Sequence, residues 1–360
     1  MITLPRDPLL HAAKAASRCA AGKTMPILGC LRIGAELMRA TDMEREIRVE
    51  FPGLTLDPLC VDATRFVNAL NALPPGSDVT LTPNGNRLTL KSGRARYNLA
   101  ILPAEDHPDL VKPGNPHAHI PADQTQAFLS GLAAVQHAQA HGDVRHYLNG
   151  IHAEYADGQI LALAATDGHR LAAYPSTAVT APAAPKSATI PLKAVNDILQ
   201  MTSVAEDVRA WIGPGHIEIT AGNITYTSKN IEGSYPDWRR VAAPQQSAQD
   251  VRINRSDLIQ ALRQCRVTSS EKVQGVTLNI AESECTLESH NPEEESGQVV
   301  IPCQLQGAPI EVGYRISYLL DALDSLPDSI DDEITLQIHP KGATTLQAAE
   351  IHNVVMPIRL

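Results

Sequence analysis

The sequence predicts an α+β protein built from three repeated units, each with two helices and antiparallel sheets. Six segments have the apolar spacing of helices, and they come in pairs, two in each third of the chain. Short segments of alternating apolar and polar residues lie between and after these helices. A similar peptide closes each third: HPDL at 107–110, YPDW at 235–238 and VMPI at 355–358. The period, roughly 120 residues, is an ordinary domain size, so we expect three domains of one design.

The helices are predicted where apolar residues recur at i, i+3, i+4 and i+7, because this spacing places them on one face. They cover residues 8–20, 62–73, 122–137, 192–202, 256–267 and 317–326. Two of them stop at prolines, at Pro74-Pro75 and at Pro327. Proline has no N–H to continue a helix, which makes these two ends the best defined.

Alternating segments predict the strands. They cover residues 79–82, 87–91, 96–99, 151–155, 160–164, 217–220, 224–227, 276–280, 284–288, 299–301 and 333–338. Pro83-Asn84-Gly85 and Ala221-Gly222-Asn223 are turns of the kind that join antiparallel neighbours. The apolar strand at 160–164 leads into Asp167-Gly168-His169, an exposed turn in which Gly168 can take a positive φ.

Proline and small polar residues cluster near 115–121 and 244–250, which is typical of domain joins. The predicted domains are therefore residues 1–118, 119–246 and 247–360. The run at 175–187, rich in Ala, Pro and Thr, is interpreted as a surface loop inside the middle domain.

Composition indicates a soluble globular protein of the cytoplasm. The 360 residues are 43% hydrophobic and 19% charged, and aromatic residues make up only 4%, so the cores must be aliphatic. No apolar run approaches the roughly 20 residues that span a bilayer, and the first residues lack the signature of a signal peptide. Six scattered cysteines without a Cys-x-x-Cys pair are expected to be core residues in a reducing compartment.

The net charge of −10, from 30 basic and 40 acidic residues, argues against sequence-specific DNA binding. The basic residues on the helices allow a narrower hypothesis. Lys14 and Arg18 lie four apart on the first helix and share a face, and further basic residues lie on or beside the other helices: Arg65, Lys193, Arg255, Arg263 and Arg315. These are either ordinary solvated faces or a sequence-independent track for phosphates.

No convincing catalytic or metal site emerges from the motifs. A hydrolase would use Asp167 and His169 with a nucleophile such as Ser234, but no Gly-x-Ser-x-Gly turn is present. His137 and His141 have a metal-ligand spacing, yet Gly142 marks the helix end and no third ligand is evident. No phosphate-binding loop of the P-loop type exists. We expect neither a cofactor nor a metal.

Five motifs, spread over all three thirds, are more specific. They are MPILG at 25–29, DVRHYLNG at 143–150, ATDGHRLA at 165–172, TSK with YPDWRRV at 227–229 and 235–241, and VVMPIRL at 354–360. In this order they closely resemble the bacterial sliding clamp, the beta subunit of DNA polymerase III. The resemblance covers essentially the whole chain.

The resemblance implies three repeated domains per chain and a homodimeric ring, closed head to tail, with helices lining the hole. It implies a non-enzymatic processivity factor that encircles duplex DNA without sequence preference, is placed there by an ATP-driven clamp loader, and tethers the replicative polymerase. It also implies a pocket, between the middle and last domains, for short peptides of the polymerase, the clamp loader and other partners. No membrane partner is implied.

The positions that match the family's functional residues fall into three sets. The peptide pocket would be formed by Leu148, Thr166, Gly168, His169, Arg170, Leu171, Pro236, Arg240, Val241, Val354, Met356, Pro357, Ile358, Arg359 and Leu360. The DNA-facing residues would be Lys14, Arg18, Lys23, His146, Tyr147 and Lys193. The dimer interface would include His107, Leu110, Val267 and Thr268.

In the pocket, Leu148, Leu171, Val241, Val354 and Met356 are expected to form an apolar floor for leucine or phenylalanine anchors. Arg170 and Arg240 are expected to donate hydrogen bonds at the rim.

The chain departs from the family at His107 and Thr268, where relatives often have larger apolar residues, and at Asn71 and His146. Two alternatives stay open: a homologue without ring closure that acts as a peptide-binding module or decoy, and an enzyme using Asp167 and His169.

Overall fold

The alternation of apolar and polar residues along each strand determines which face is buried. In the hairpin at 78–92, Val79, Leu81, Leu88 and Leu90 are fully buried. Leu81 lies opposite Leu90 in an antiparallel register, so the apolar side chains of both strands share one face. The same rule applies to the other strands whose residues alternate, and the described strands form two large antiparallel sheets.

The computed structural model describes residues 1–22, 25–110, 118–156, 159–175, 186–203, 207–243, 247–327, 332–339 and 342–359. The fold is the expected α+β type. The chain divides into two compact units. Unit 1 contains Met1–Thr125 and Lys193–Asn230, and unit 2 contains Gln126–Leu192 and Ile231–Leu360. Some predicted features lie outside the described residues: Lys23, Leu360, and parts of the domain joins and of the loop at 175–187.

Unit 1 contains one sheet of twelve described strands. They are β1 Ile2–Pro5, β2 Cys30–Gly34, β3 Leu37–Thr41, β4 Arg45–Glu50, β5 Leu59–Asp62, β6 Asp78–Asn84, β7 Arg87–Ser92, β8 Ala95–Pro103, β9 Ala118–Ile120, β14 Val208–Ile212, β15 His216–Ala221 and β16 Ile224–Lys229. Their order in the sheet is β1-β6-β7-β8-β5-β2-β3-β4-β16-β15-β14-β9. Its helices are α1 Arg6–Ser17, α2 Ala63–Asn71 and, from its second residue, α4 Leu192–Thr202.

Unit 2 contains the second sheet of twelve described strands. They are β10 Gly150–Ala156, β11 Gln159–Thr166, β12 Arg170–Tyr174, β13 Lys186–Pro191, β17 Gln249–Asn254, β18 Gly275–Ile280, β19 Glu284–His290, β20 Ser296–Leu305, β21 Ile310–Arg315, β22 Glu333–Ile338, β23 Thr344–Ala348 and β24 Ile351–Val355. Their order is β13-β10-β11-β12-β24-β23-β22-β17-β20-β19-β18-β21. The helices are most of α3 Ala122–Val135, the short α5 Arg239–Ala242, α6 Arg255–Cys265 and α7 Ile316–Asp324.

All six predicted helices are present; the helix at 192–202 has the predicted ends, and the ends of the others differ by at most three residues. Helix α1 starts earlier than predicted, at Arg6, because Pro8 is tolerated in the first turn, where its missing N–H has no intrahelical partner. Helix α3 ends at Val135 and continues as a 3₁₀ turn, Gln136–Ala138. In that turn the imidazole Nδ1 of His137 lies 3.0 Å from the carbonyl oxygen of Ala134. None of the described helices is long and apolar enough to cross a bilayer.

Each sheet joins strands from two different thirds of the sequence. In unit 1, β4 pairs with β16, and Ile47 lies opposite Tyr226. In unit 2, β12 pairs with β24, and Leu171 lies opposite Val354. No strand is predicted from the sequence at β24, and only the last two residues of this strand, Val354 and Val355, belong to the closing motif at 354–360. This pairing brings two segments of the predicted pocket together.

The cysteines agree with their predicted role as core residues. All six are buried free thiols. Burial is the main cause of the raised pKa of each thiol, and it raises the pKa of Cys60 to about 12. These thiols therefore stay protonated and unreactive at neutral pH.

Candidate functional site

The turn between β11 and β12 is fixed by its own side chains. The hydroxyl of Thr166 accepts from the N–H of Gly168 at 3.1 Å and donates to the carbonyl oxygen of Arg170 at 2.6 Å. The carboxylate of Asp167 accepts from the N–H groups of His169 and Arg170 at 2.8 and 3.0 Å. Gly168 has a φ of +90°, which a residue with a Cβ rarely adopts. The turn is rigid, and it leaves Gly168 and His169 exposed.

The end of the chain runs along this turn. After Val354, which pairs with Leu171, the N–H of Met356 donates to the carbonyl oxygen of His169 at 2.9 Å. The N–H of Ile358 then donates to the carbonyl oxygen of Gly313 on β21 at 2.8 Å. Pro357 and Ile358 are half-buried, and Arg359 is exposed. The tail is therefore attached at both ends while its side chains stay accessible.

The predicted apolar floor separates into a buried layer and an accessible layer. Leu148, Leu171 and Val354 are 1–2% exposed. Val241 and Met356 are 46% and 36% exposed, so they offer apolar surface to a ligand. The buried residues support this surface from below.

The two arginines expected at the rim have different environments. The Nε of Arg170 pairs with Asp167 at 3.1 Å, and its Nη1 pairs with Asp321 of α7. Its guanidinium also lies 4.5 Å from the ring centre of Tyr318, and its side chain is only 11% exposed. Arg240, by contrast, is 85% exposed, and among the described residues its ion pair is a local one, with Asp237 at 3.0 Å. Arg240 is the more available cation for a ligand.

The wall formed by residues 235–242 is anchored from below. The hydroxyl of Tyr235 accepts from the N–H of Thr166 at 3.0 Å, and the ring of Trp238 is 2% exposed. Arg239 makes a two-pronged ion pair with the buried Glu154 on β10, at 2.7 Å for both contacts. The predicted pocket residues Pro236, Arg240 and Val241 lie on this wall and are exposed.

Several residues at the site were not singled out from the sequence. Arg145 lies against the turn, and a Cβ on Gly168 would come within 3.1 Å of its guanidinium. Its partner Asp143 binds it at 2.8 Å, and this hydrogen bond is the main reason that the pKa of Asp143 is lowered to about 2. Tyr318 and Asp321 come from α7. Arg145 lies within a quoted motif, but nothing in the sequence indicated that α7 contributes.

The predicted DNA-facing residues are found in both units. In unit 1, Lys14 and Lys193 are exposed and Arg18 is half-buried. The ammonium of Lys14 lies 3.5 Å from the side-chain oxygen of Asn71. In unit 2, His146 and Tyr147 lie in a 3₁₀ turn, His146–Leu148. Their rings are packed edge to face, with 5.9 Å between ring centres.

The predicted interface residues differ in exposure. Val267 is 83% exposed, and the hydroxyl of Thr268 hydrogen-bonds that of Ser289 at 2.8 Å. His107 and Leu110 are 4% and 6% exposed within the chain. Burial, with a smaller contribution from Arg39, lowers the pKa of His107. Its imidazole is therefore neutral at neutral pH.

The geometry does not favour the hydrolase hypothesis. The carboxylate of Asp167 is occupied by backbone N–H groups and by Arg170, so it does not orient the ring of His169. The ring of His169 instead faces Tyr318, with 6.4 Å between ring centres. Among the described residues, no group of three or more His, Cys, Asp and Glu side chains is arranged to hold a metal ion. Burial lowers the pKa of His137 to about 4.

Comparison with known proteins gives one consistent answer. Models of the N-terminal, central and C-terminal domains of the DNA polymerase III beta subunit match residues 1–111, 124–237 and 240–359. The beta sliding clamp of Vibrio cholerae is 32% identical over 372 residues, and that of Escherichia coli K12 is 31% identical over 373 residues. In both comparisons 99% of each chain is covered.

Solved structures agree. The DNA polymerase III beta subunit of Pseudomonas aeruginosa matches with a TM-score of 0.88 and 26% identity, and 100% of each chain is covered. A Pseudomonas aeruginosa clamp bound to griselimycin matches with a TM-score of 0.86 and 26% identity, covering 100% of this chain and 99% of the other. The chain therefore belongs to the bacterial beta sliding clamp family, the beta subunit of DNA polymerase III.

Proposed function

We propose that this chain is a DNA sliding clamp: a homodimeric ring around duplex DNA that tethers the replicative polymerase and other partners through short peptides. Family membership over the whole chain is the observation that carries this proposal. The function is non-catalytic, and the site of action is the bacterial cytoplasm, where the chromosome is replicated. The proposed domains are residues 1–118, 119–246 and 247–360. The N-terminal and central family matches, at 1–111 and 124–237, fall within the first two. The C-terminal match, at 240–359, begins seven residues before the proposed third domain.

The peptide site that we propose is the surface formed by the turn at 166–171, the wall at 235–242 and the tail from Val354. Val241 and Met356 provide accessible apolar surface for leucine or phenylalanine side chains. Arg240 provides a cation and several N–H donors at the rim. Since these segments are far apart in sequence, the site depends on the complete unit 2.

Encirclement explains how an acidic protein with a net charge of −10 holds DNA. A closed ring needs little contact affinity, so a few exposed cations such as Lys14 and Lys193 are sufficient to contact the phosphates. The charge distant from them is screened beyond about 8–10 Å at physiological salt.

Two strands, β8 and β20, have edges that are suited to pairing with a second copy of the chain, which would close the ring. Residues 95–100 of β8 pair with β7, whereas β5 pairs only with 101–103 of β8. Residues 296–302 of β20 pair with β19, whereas β17 pairs only with 303–305. Among the described strands, each edge is thus paired on one side along most of its length. Such edges can pair with another chain.

The peptide site is tested by anisotropy of a fluorescent peptide that carries a glutamine and leucine or phenylalanine anchors. The test variant combines Arg240→Ala with a chain ending after Val355, because Val355 itself is 4% exposed and part of β24. We expect at least a tenfold loss of affinity, about 1.4 kcal/mol, with the dimer intact.

The matched control is Arg209→Ala. Arg209 is also an exposed arginine that pairs with a nearby aspartate, Asp207, at 2.9 Å, but it lies in unit 1. Its peptide affinity should equal that of the wild type. An unchanged affinity in the test variant would contradict the proposed site.

A further inference from the structure

A buried carboxylate lies beneath the wall at 235–242. Glu154 is 5% exposed, and its two oxygens accept from the two terminal nitrogens of Arg239, each at 2.7 Å. One of these oxygens also accepts from the indole N–H of Trp238 at 3.2 Å and lies 3.6 Å from Nε2 of His152. Burial alone would raise the pKa of Glu154, but the nearby imidazole of His152 and the hydrogen bonds from Arg239 bring it down to about 2. Glu154 is therefore ionised at neutral pH.

Two of the groups that satisfy this buried charge come from the wall itself. An ionised carboxylate removed from water requires partners, and losing one leaves an uncompensated charge. Trp238 and Arg239 are consecutive residues, and the guanidinium stacks 4.3 Å from the indole ring centre. The wall thus contributes a preformed pair of donors that fits a single acceptor on β10.

The indole of Trp238 also reaches the floor of the peptide site. It packs in one buried cluster with Leu171 and Val354, the floor residues of β12 and β24. The rest of this cluster is small: Ala162, Ala164, Ala173, Ala242 and Ala343. Alanines on the sheet leave room for the large ring, so the ring position is set by the floor on one side and by Glu154 on the other.

A second anchor holds the other end of the wall. The ring of Tyr235 stacks on His152 with 4.5 Å between ring centres, and its hydroxyl binds the N–H of Thr166. Pro236, Arg240 and Val241 lie between and beside these anchors and are exposed. The pairing of Arg240 with Asp237 stays within the wall. The placement of these three side chains therefore depends on residues that do not contact a ligand.

We propose that Glu154 is a positioning residue for peptide binding: it holds Trp238 and Arg239 so that the wall presents Pro236, Arg240 and Val241 to the ligand. This inference rests on the proposed function. Glu154 does not touch the peptide. It preorganises the wall, so that binding does not have to order these side chains.

The test variant is Glu154→Gln, which keeps the size of the side chain but removes the charge and one acceptor. We expect peptide affinity to fall about tenfold, since a released wall must be re-ordered on binding. The indole N–H signal of Trp238 in a ¹⁵N–¹H spectrum should shift. Trp211, the second tryptophan, lies in unit 1, so its signal should not move.

Arg239→Lys provides a second variant that keeps the charge but loses the two-pronged geometry. It should weaken binding less than Glu154→Gln does. Arg239→Gln, a third single variant, completes a double-mutant cycle with Glu154→Gln. In the double variant Glu154→Gln/Arg239→Gln, the loss of affinity should be smaller than the sum of the losses in these two single variants, because both act through one contact.

Glu46→Gln is the matched control for general destabilisation. Glu46 is a buried carboxylate, 1% exposed, that pairs with Arg48 at 2.6 Å in unit 1. We expect it to lower the thermal midpoint without changing peptide affinity.

The outcomes separate the two proposals. If the wild type does not bind the peptide, the proposed function fails. If the wild type binds the peptide, and both Glu154→Gln and Arg239→Lys bind it as tightly as the wild type does, the positioning role is overturned. A loss of affinity in Glu46→Gln as large as that in Glu154→Gln would also overturn it, since it would show that any loss of stability has this effect.

Discussion

Gly168 shows how one residue shapes the proposed peptide site. Its φ of +90° closes the turn between β11 and β12. Its missing side chain leaves space for the guanidinium of Arg145, which donates to the carbonyl oxygen of Asp167 at 3.2 Å. A single glycine thus sets both the course of the backbone and the position of a cation beside it.

We expect Gly168→Ala to lower stability by about 1–2 kcal/mol, because an L-residue is strained in the left-handed region. It should also weaken peptide binding severalfold, since the new Cβ would displace Arg145. Urea unfolding and peptide anisotropy measure the two effects.

The control is Gly222→Ala. Gly222 also has a positive φ, +57°, but a Cβ there would meet no atom within 4 Å. This variant should show the loss of stability alone. Equal peptide affinity in both variants would mean that Arg145 has no part in the site.

The two rim arginines, Arg170 and Arg240, are the same residue type but have different environments. The sequence treats Arg170 and Arg240 alike, as possible donors to a ligand. In the structure, Arg170 is held by Asp167, Asp321 and the ring of Tyr318. Asp321 lies 151 positions away in the sequence, so no local pattern distinguishes a structural arginine from an available one.

Among the structural elements, the helices show the repeat most clearly, yet their ends are fixed in different ways. Helix α2 is capped by Asp62, whose carboxylate accepts from the N–H of Arg65 at 2.8 Å. Helix α6 is capped by Asn254, whose side-chain oxygen accepts from the N–H of Asp257 at 3.0 Å. Helices α1 and α7 start without a side-chain cap hydrogen bond. The caps therefore belong to individual helices and not to the repeat.

Asp62→Ala and Asn254→Ala are each expected to cost about 1 kcal/mol, because a first-turn N–H loses its acceptor. Calorimetry measures this as a lower unfolding midpoint. Asp62→Asn and Asn254→Asp keep an acceptor and should stay close to the wild type. Equal losses in the Ala and the conservative variants would show that the caps do not stabilise these helices.

For the whole molecule, the central question is closure of the ring. Val267 is 83% exposed, and the resemblance places it at the interface between copies. An exposed apolar side chain next to an open strand edge is suited to burial by a partner, since each Å² of apolar surface removed from water contributes about 25 cal/mol.

We expect Val267→Glu to convert a dimer of twice 38.7 kDa into a monomer, because a buried unpaired charge opposes association. Sedimentation from micromolar to nanomolar concentration measures this. Val144→Glu is the control, since Val144 is 96% exposed and is not one of the predicted interface residues. A wild type that is monomeric at every concentration would favour the alternative of a peptide-binding module without a ring.

The threefold repeat, the six helices and the motifs of the proposed peptide site could all be predicted from the sequence. Helical periodicity and proline stops are local properties, so they can be read without the fold. The sequence missed short strands such as β2 Cys30–Gly34 and β24 Ile351–Val355, which are buried on both faces. Their residues do not alternate, and only pairing with neighbours identifies them as strands.

The contacts between residues far apart in sequence are visible only in the folded chain. There Leu171 pairs with Val354, Asp321 pairs with Arg170, and Glu154 meets Arg239 across 85 positions. Such contacts depend on the order of strands in the sheet and on which helix packs beside them. Neither is encoded within a short window of sequence, because burial and charge pairing are properties of the assembled unit.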